Sequence, residues 1–392
     1  MAPRIVIVGG GMAGMSCALH LTQHSVTHKL ITDQLGGRIQ YDRDLHANFG
    51  AFFVMESYKW AQEVVQRDVR LDPTDTSFVQ PDGSVIAAKS FRMALLLPQM
   101  FKVARVIDKF SKHYESFKTR CLTMPFHVAA SSDPFISRLV SLPAKQFAKE
   151  AGIERAIATI VGNFVYSCTG VGVADINTLD FLNVCLALRQ PIYKFIFDLP
   201  GMESRLNNSL VYDSIDSLQR DGNVSTLKMR SGVTYEADIL VLATPASVTQ
   251  RLLGIPEIRR VSKVYTYYLE GKVKQKFTHT GTNVFHQGYD IIATTKMAGN
   301  TLMLYTCKPK TDFSEVCESS RVLKMVPFEK AMYVSGNVLL AQDYAANILI
   351  AGDHNGLGLE PTAISGIYAA NRIVSALARR TPATAKIALS TP

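Results

Sequence analysis

The chain has 392 residues, 47% of them hydrophobic, and a net charge of +9. This length exceeds one average domain and suits two interleaved ones, each with a core. No basic stripe carries interleaved aromatics, which argues against a nucleic-acid partner; six scattered cysteines without a CxxC pair argue against a disulfide framework or a metal site and for a reducing compartment.

Arg4 to Val8 reads as a short β-branched strand. Gly9, Gly11 and Gly14 follow in a GxGxxG pattern, and Met12 to Leu21, beginning Met12-Ala13-Gly14, continues as a helix. Gly9 makes the tight turn, Gly11 lets the backbone approach a pyrophosphate, and Gly14 lets helix and strand pack closely. The helix N-terminus offers free N–H groups to an anion. A second strand, HKLIT, ends at Asp33, whose carboxylate can accept ribose hydroxyls. The first strand starts at Arg4 and leaves no room for a secretory leader, so a cytoplasmic location is expected, with membrane association left open.

Gly36, Gly37 and Arg38 then form a bend with a cation, and Gly50 and Ala51 a small-residue bend between aromatics. VQPDGSVIA predicts a hairpin on a Pro-Asp-Gly turn. In PQMFKVARVIDKFSKHY, Lys102, Arg105, Lys109 and Lys112 share one helical face, and Met100, Val103, Ile107, Phe110 and Tyr114 mark the other. Such a helix can rest on an anionic membrane or stand with its charged face in water. Residues 156–174 carry no charge over nearly a bilayer's span, but Gly162, Asn163, Gly170 and Gly172 interrupt them, so they read as a buried helix and a glycine-rich turn.

From Arg260 to Cys307 the pattern alternates like a sheet, with Lys263, Tyr265 and Tyr267 on one face and Val264, Thr266 and Tyr268 on the other. Near the end, Ile348 to Ala351 predicts a strand that delivers Gly352 and Asp353 to a glycine-rich turn, Gly356–Gly358. A helix follows from near Thr362, through Ala363 and Ile364, and residues 381–392 read as a frayed tail. His354 reads as a turn histidine bonded to backbone.

The order GxGxxG, acidic residue, GGR and FGA resembles the flavin amine oxidase superfamily, which includes monoamine and polyamine oxidases, protoporphyrinogen oxidases and carotenoid desaturases. GMESRLNNSLVYDSIDSL resembles that family's GM..L helix and the strand carrying an adenine-contacting valine, here Val211. TYEADILVLATPASVTQRLL and VPFEKAMY resemble later family segments, and GLGLEPTAISG is closer to the protoporphyrinogen oxidase form than to the amine oxidase form. The resemblance implies an α/β fold: a doubly wound, GR2-type FAD-binding Rossmann-like domain interleaved with an α+β substrate domain that has a mixed sheet and a helical part. The FAD-binding parts would be 1–58, 201–256 and 336–380, and the substrate parts 59–200 and 257–335.

It also implies two fingerprints because FAD has two ends. The first turn would hold the ADP half; Gly352, Asp353 and the helix through Ala363 and Ile364 would hold the ribityl and flavin end. Several amine oxidases have a lysine equivalent to Lys263 that holds a water near flavin N5; an ordinary strand lysine would face solvent. The sequence departs from the family in four places. Only Gln34 and Leu35 separate Asp33 from GGR, Asp33 replaces the usual glutamate, Asn48 replaces a common aspartate, and Ala363 stands where amine oxidases put an aromatic. With no cysteine near the last motif, FAD would be non-covalent. The expected activity is FAD-dependent removal of hydride from an apolar or cyclic substrate, with O2, a quinone or another acceptor. Amine oxidation, a redox-neutral isomerisation and a flavin-holding scaffold are the alternatives. The substrate would be a small, lipophilic molecule; oligomeric state is not legible.

Overall fold

The computed structural model describes residues 2–257, 259–335 and 338–380. The tail expected over 381–392 lies outside the described residues. One six-stranded sheet gathers stretches far apart in the chain. Its order is Leu210–Tyr212, Lys29–Leu35, Ile5–Gly10, Ile239–Leu242, Ile348–Ile350 and Asp343–Ala345. The first five run parallel, and the last pairs antiparallel at the edge. Parallel strands covered on both faces read as unbroken apolar runs, as IVIV and ILVL do here.

The two faces divide by residue parity. Ile5, Ile7 and Val241 join the core that includes Met15 and Leu19 of the helix Met12–Gln23 and Ala363, Ile364 and Ala370 of the helix Leu359–Arg380. Val6, Val8, Leu240 and Leu242 face the other way, into Leu227, Met229 and Ala237. Those belong to a meander of Ile215–Asp221, Val224–Met229 and Thr234–Ala237.

A seven-stranded mixed sheet forms the second unit, in the order Cys317–Ser335, Arg260–Val273, Thr301–Thr306, Ile291–Lys296, Thr282–Phe285, Thr76–Val79 and Val85–Ala87. The predicted hairpin is its far edge, joined through a parallel pairing of Thr76–Val79 with Thr282–Phe285. The helix Gly162–Thr169 packs on this sheet, while Leu97–Arg120 and Thr178–Cys185 pack on neighbouring helices. The uncharged segment is a buried helical stretch whose end at Gly170 takes a left-handed conformation (φ 69°), which suits glycine. Among the described residues no helix is long and apolar enough to cross a membrane.

The first and last helices cross at a glycine. A Cβ on Gly366 would collide with the Ala13 carbonyl, so the C-terminal helix lies directly on the first turn of the fingerprint helix. Gly366→Val should lower the urea midpoint, at a cost of roughly 1–3 kcal/mol from overpacking. An unchanged midpoint would show that the two helices do not cross this closely.

Candidate functional site

The site begins at the end of the first strand. Gly9 has φ 108° and lies so close to the Ala243 carbonyl that a Cβ would stand 2.5 Å from it. Gly11 is different: a Cβ there would meet nothing within 4 Å. Gly11 caps the helix without a side-chain bond, and the first helical bond runs from Met15 N–H to its carbonyl. Helix geometry therefore leaves the N–H groups of Met12, Ala13 and Gly14 without intrahelical partners, beside open space at Gly11.

The second strand runs on through Asp33 to Leu35, which pairs with Gly10. The sequence reading ended it at Asp33. The pairing with the first strand shifts register between Val8 and Gly10, and the two residues before GGR bring Gly36 N–H onto the Gly10 carbonyl at 2.9 Å. Thr32 Oγ1 accepts the Gly10 N–H at 2.8 Å. The Asp33 carboxylate faces outward and accepts its neighbour's Gln34 N–H. Gly37 then rests on Gly11, and Val211 pairs beside Ile31 on the adjoining edge strand.

Arg38 joins the two ends of the chain. Its Nη1 donates to Asp353 Oδ2 at 2.7 Å, across 315 residues, and to the Ala331 carbonyl at 2.7 Å. Burial alone would raise the Asp353 carboxyl, but the guanidinium outweighs it and holds the group below the usual range. The second small-residue bend sits on the same arginine: Ala51 N–H donates to the Arg38 carbonyl, and a Cβ on Gly50 would collide with it. Asn48 is buried and donates to the Phe195 carbonyl at 2.8 Å, a bond that an ionised aspartate could not make.

The C-terminal turn is held from its other side by a buried pair that sequence reasoning missed. Arg259 Nη1 meets Asp180 Oδ2 at 3.1 Å, and Nη2 donates to the Asn355 carbonyl at 3.2 Å. Asp180 Oδ1 accepts the Leu357 N–H and Asn183 donates to the Leu357 carbonyl. Glu360, fully buried, accepts the N–H groups of Lys59 and Ala61 at 2.7 and 2.9 Å. Burial still holds its carboxyl above the ordinary range. The pairs are 79 and about 300 residues apart, so no local pattern announces them.

The structure places three of the expected features as follows. Lys263 is 53% exposed and pairs with Glu329 at 2.8 Å. The alternation itself holds, but the face that meets the FGA bend is the other one: Thr266 Oγ1 donates to the Phe49 carbonyl at 2.7 Å, and Gly170 lies against Ser262 and Val264. Tyr265 and Tyr267, on the Lys263 face, pack with Phe277 and Phe313. The last helix starts at Leu359, ahead of Thr362, so Ala363 and Ile364 fall past its opening residues and are buried in the core. His354 was expected to bond backbone. It is buried, and the Ala351 backbone acts on its ring.

His354 lies between Asp353 and Asn355, and burial pushes its pKa down to about 4. An unfolded histidine titrates near 6.5, so the unfolded state takes up the proton first. The folded chain therefore loses stability as pH falls from 6.5 towards 4. His354→Asn should flatten the wild-type slope of unfolding free energy in that window, by up to about 3 kcal/mol across it. Equal slopes would contradict a neutral buried imidazole.

Comparison with known proteins extends these observations. The NAD(P)-binding Rossmann-like domain family matches residues 7–67. No curated protein matches the chain in sequence. Among solved structures, cyclohexylamine oxidase from Brevibacterium oxydans is similar with a TM-score of 0.67 at 12% identity, over 97% of this chain and 99% of that one. A putrescine oxidase double mutant gives 0.66 at 11% identity, over 96% and 99%. An oxidoreductase from Methanosarcina mazei gives 0.65 at 11%, over 93% and 99%. Identity this low speaks for architecture, and chemistry must be argued from the site. The chain shares its fold with these oxidases over nearly its whole length.

Proposed function

We propose that the chain is an FAD-dependent oxidoreductase that takes hydride equivalents from an apolar organic substrate. The observation that carries this reading is the junction of the two ends of the chain, where Arg38 and Asp353 pair beside the open fingerprint loop. Three features fit the cofactor. Space is free at Gly11, a cation and a carboxylate stand together at the junction, and the buried His354 lies next to them.

Bound FAD supplies a two-electron acceptor. The N–H groups of Met12, Ala13 and Gly14 would hold the pyrophosphate at the positive end of their helix. Asp33 would accept ribose hydroxyls, and the strand carrying Val211 would border the adenine. Arg38 would offset phosphate charge, with Asp353 fixing its orientation and accepting from the ribityl chain. Gly36, Gly37, Gly50 and Ala51 keep the backbone near the cofactor free of bulk, and Gly352 does so next to Asp353. The helix from Leu359 would direct its N-terminal end towards the flavin.

The substrate side is apolar. Phe52, Phe164 and Val264 are half-buried on a cluster that holds Phe49, Tyr166 and Tyr305, between the mixed sheet and the helices. This lining excludes water and favours dehydrogenation of a lipophilic or cyclic compound, with O2 or a quinone as acceptor. Lys263, the residue that pointed to amine chemistry, faces away from that lining. Amine oxidation is the second reading, favoured by the likeness to cyclohexylamine oxidase and putrescine oxidase.

The test is anaerobic addition of substrate to the flavin-loaded chain. A cyclic, apolar hydride donor should bleach the flavin absorbance. Bleaching by cyclohexylamine or putrescine alone would instead support the second reading. A yellow protein that no donor bleaches would indicate a scaffold, and a chain that takes up no FAD would overturn the proposal. Gly11→Val should weaken FAD binding about 100-fold or more, because the side chain takes the pyrophosphate's space. The apo-protein's melting point should stay near wild type, since that space is empty of protein. Wild-type FAD affinity in the variant would contradict the placement of the ADP half.

A further inference from the structure

The helix read from sequence as a membrane candidate does not offer the face first considered. Val103, Ile107, Phe110 and Tyr114 are buried in the main core. A different apolar surface stands at its beginning. Phe91 is 78% exposed, Leu95 58%, Leu97 49% and Phe101 66%. Phe91 and Leu95 span the short helix Phe91–Ala94 and its end, and Leu97 and Phe101 open the helix Leu97–Arg120. Members of each pair are four residues apart and so share a face. Met93 and Leu96, in between, turn inward and pack on the cluster of Phe49, Phe52, Phe164 and Tyr305.

Cations surround this knob. Lys89, Arg92, Lys102, Arg105, Lys109 and Lys112 are exposed. No acidic residue occurs between Asp82 and Asp108, and Asp108 is paired with Arg189. Among the described residues none of the six forms an ion pair, although Asp72 and Asp82 feel the fields of Lys89 and Arg92, and Lys109 lies over the Phe135 ring. Single exposed apolar residues are ordinary, but four together inside a basic rim mark an interaction surface.

We propose that this surface docks the protein on an anionic lipid bilayer, with Phe91, Leu95, Leu97 and Phe101 entering the interface and the basic rim engaging headgroups. A second copy of the chain would set the same unpaired cations against each other, since a two-fold interface repeats one patch on both sides. The knob lies over the aromatic cluster assigned above to the substrate, so docking would bring a lipophilic compound to that side. This last point rests on the proposed function; the docking itself does not.

Cosedimentation of the full chain with phosphatidylcholine vesicles, with and without phosphatidylserine, separates the two. Binding should require the anionic lipid and weaken with salt. Phe91→Ser with Phe101→Ser should lower partitioning about tenfold or more, and Lys102→Glu with Arg105→Glu similarly, while melting points and FAD content stay at wild type. Lys228→Glu with Arg230→Glu, an equal charge change on the meander, should leave partitioning nearly unchanged. Equal binding to neutral vesicles, wild-type partitioning by the knob variants, an equal loss in the meander control, or self-association that the knob variants abolish would each overturn the proposal.

Discussion

The Arg38–Asp353 pair is the contact on which the arrangement turns. A buried carboxylate without a partner is costly, and breaking a fully buried pair costs about 3–5 kcal/mol. Arg38 is half-buried, so the cost here falls below that range. Its structural reach is larger than its energy. The one guanidinium bonds the GGR bend to the strand–turn junction at Asp353 and to Ala331 on the edge strand of the mixed sheet. Three pieces of chain that share no local sequence are thereby held at one point.

The Arg259–Asp180 pair does the same work from the opposite side of the C-terminal turn. Both side chains are almost fully buried, and they also bond Tyr333, Asn355 and Leu357, although Arg259 Nε has no partner. The turn is thus fixed by one charge pair towards the fingerprint and one towards the helical part. His354 sits between Asp353 and Asn355 and is buried.

Local physics made the fingerprint legible. Four apolar β-branched residues, a GxGxxG turn and an apolar helix all specify structure within about twenty residues, and the strand and helix lie where that pattern puts them. The second fingerprint was legible as a strand and turn for the same reason, but its helix begins at Leu359, ahead of the expected point, where Glu360 accepts the distant N–H groups of Lys59 and Ala61. Period-two alternation grouped Lys263 with Tyr265 and Tyr267 correctly, yet it gives no sign of which face meets the cofactor side. That is decided by Thr266 and Phe49, which lie 217 residues apart. Likewise the amphipathic pattern of Lys102 to Tyr114 revealed a two-faced helix and could not reveal that its apolar face was already covered.

The central claim is that two ends of the chain make one dinucleotide site, and a crystal structure of the chain with FAD tests it most directly. The account predicts density for pyrophosphate at the N–H groups of Met12, Ala13 and Gly14 and for the ribityl chain beside Asp353 and Arg38. FAD bound at the fingerprint alone, with the Asp353 turn untouched, or NAD(H) in its place, would contradict it.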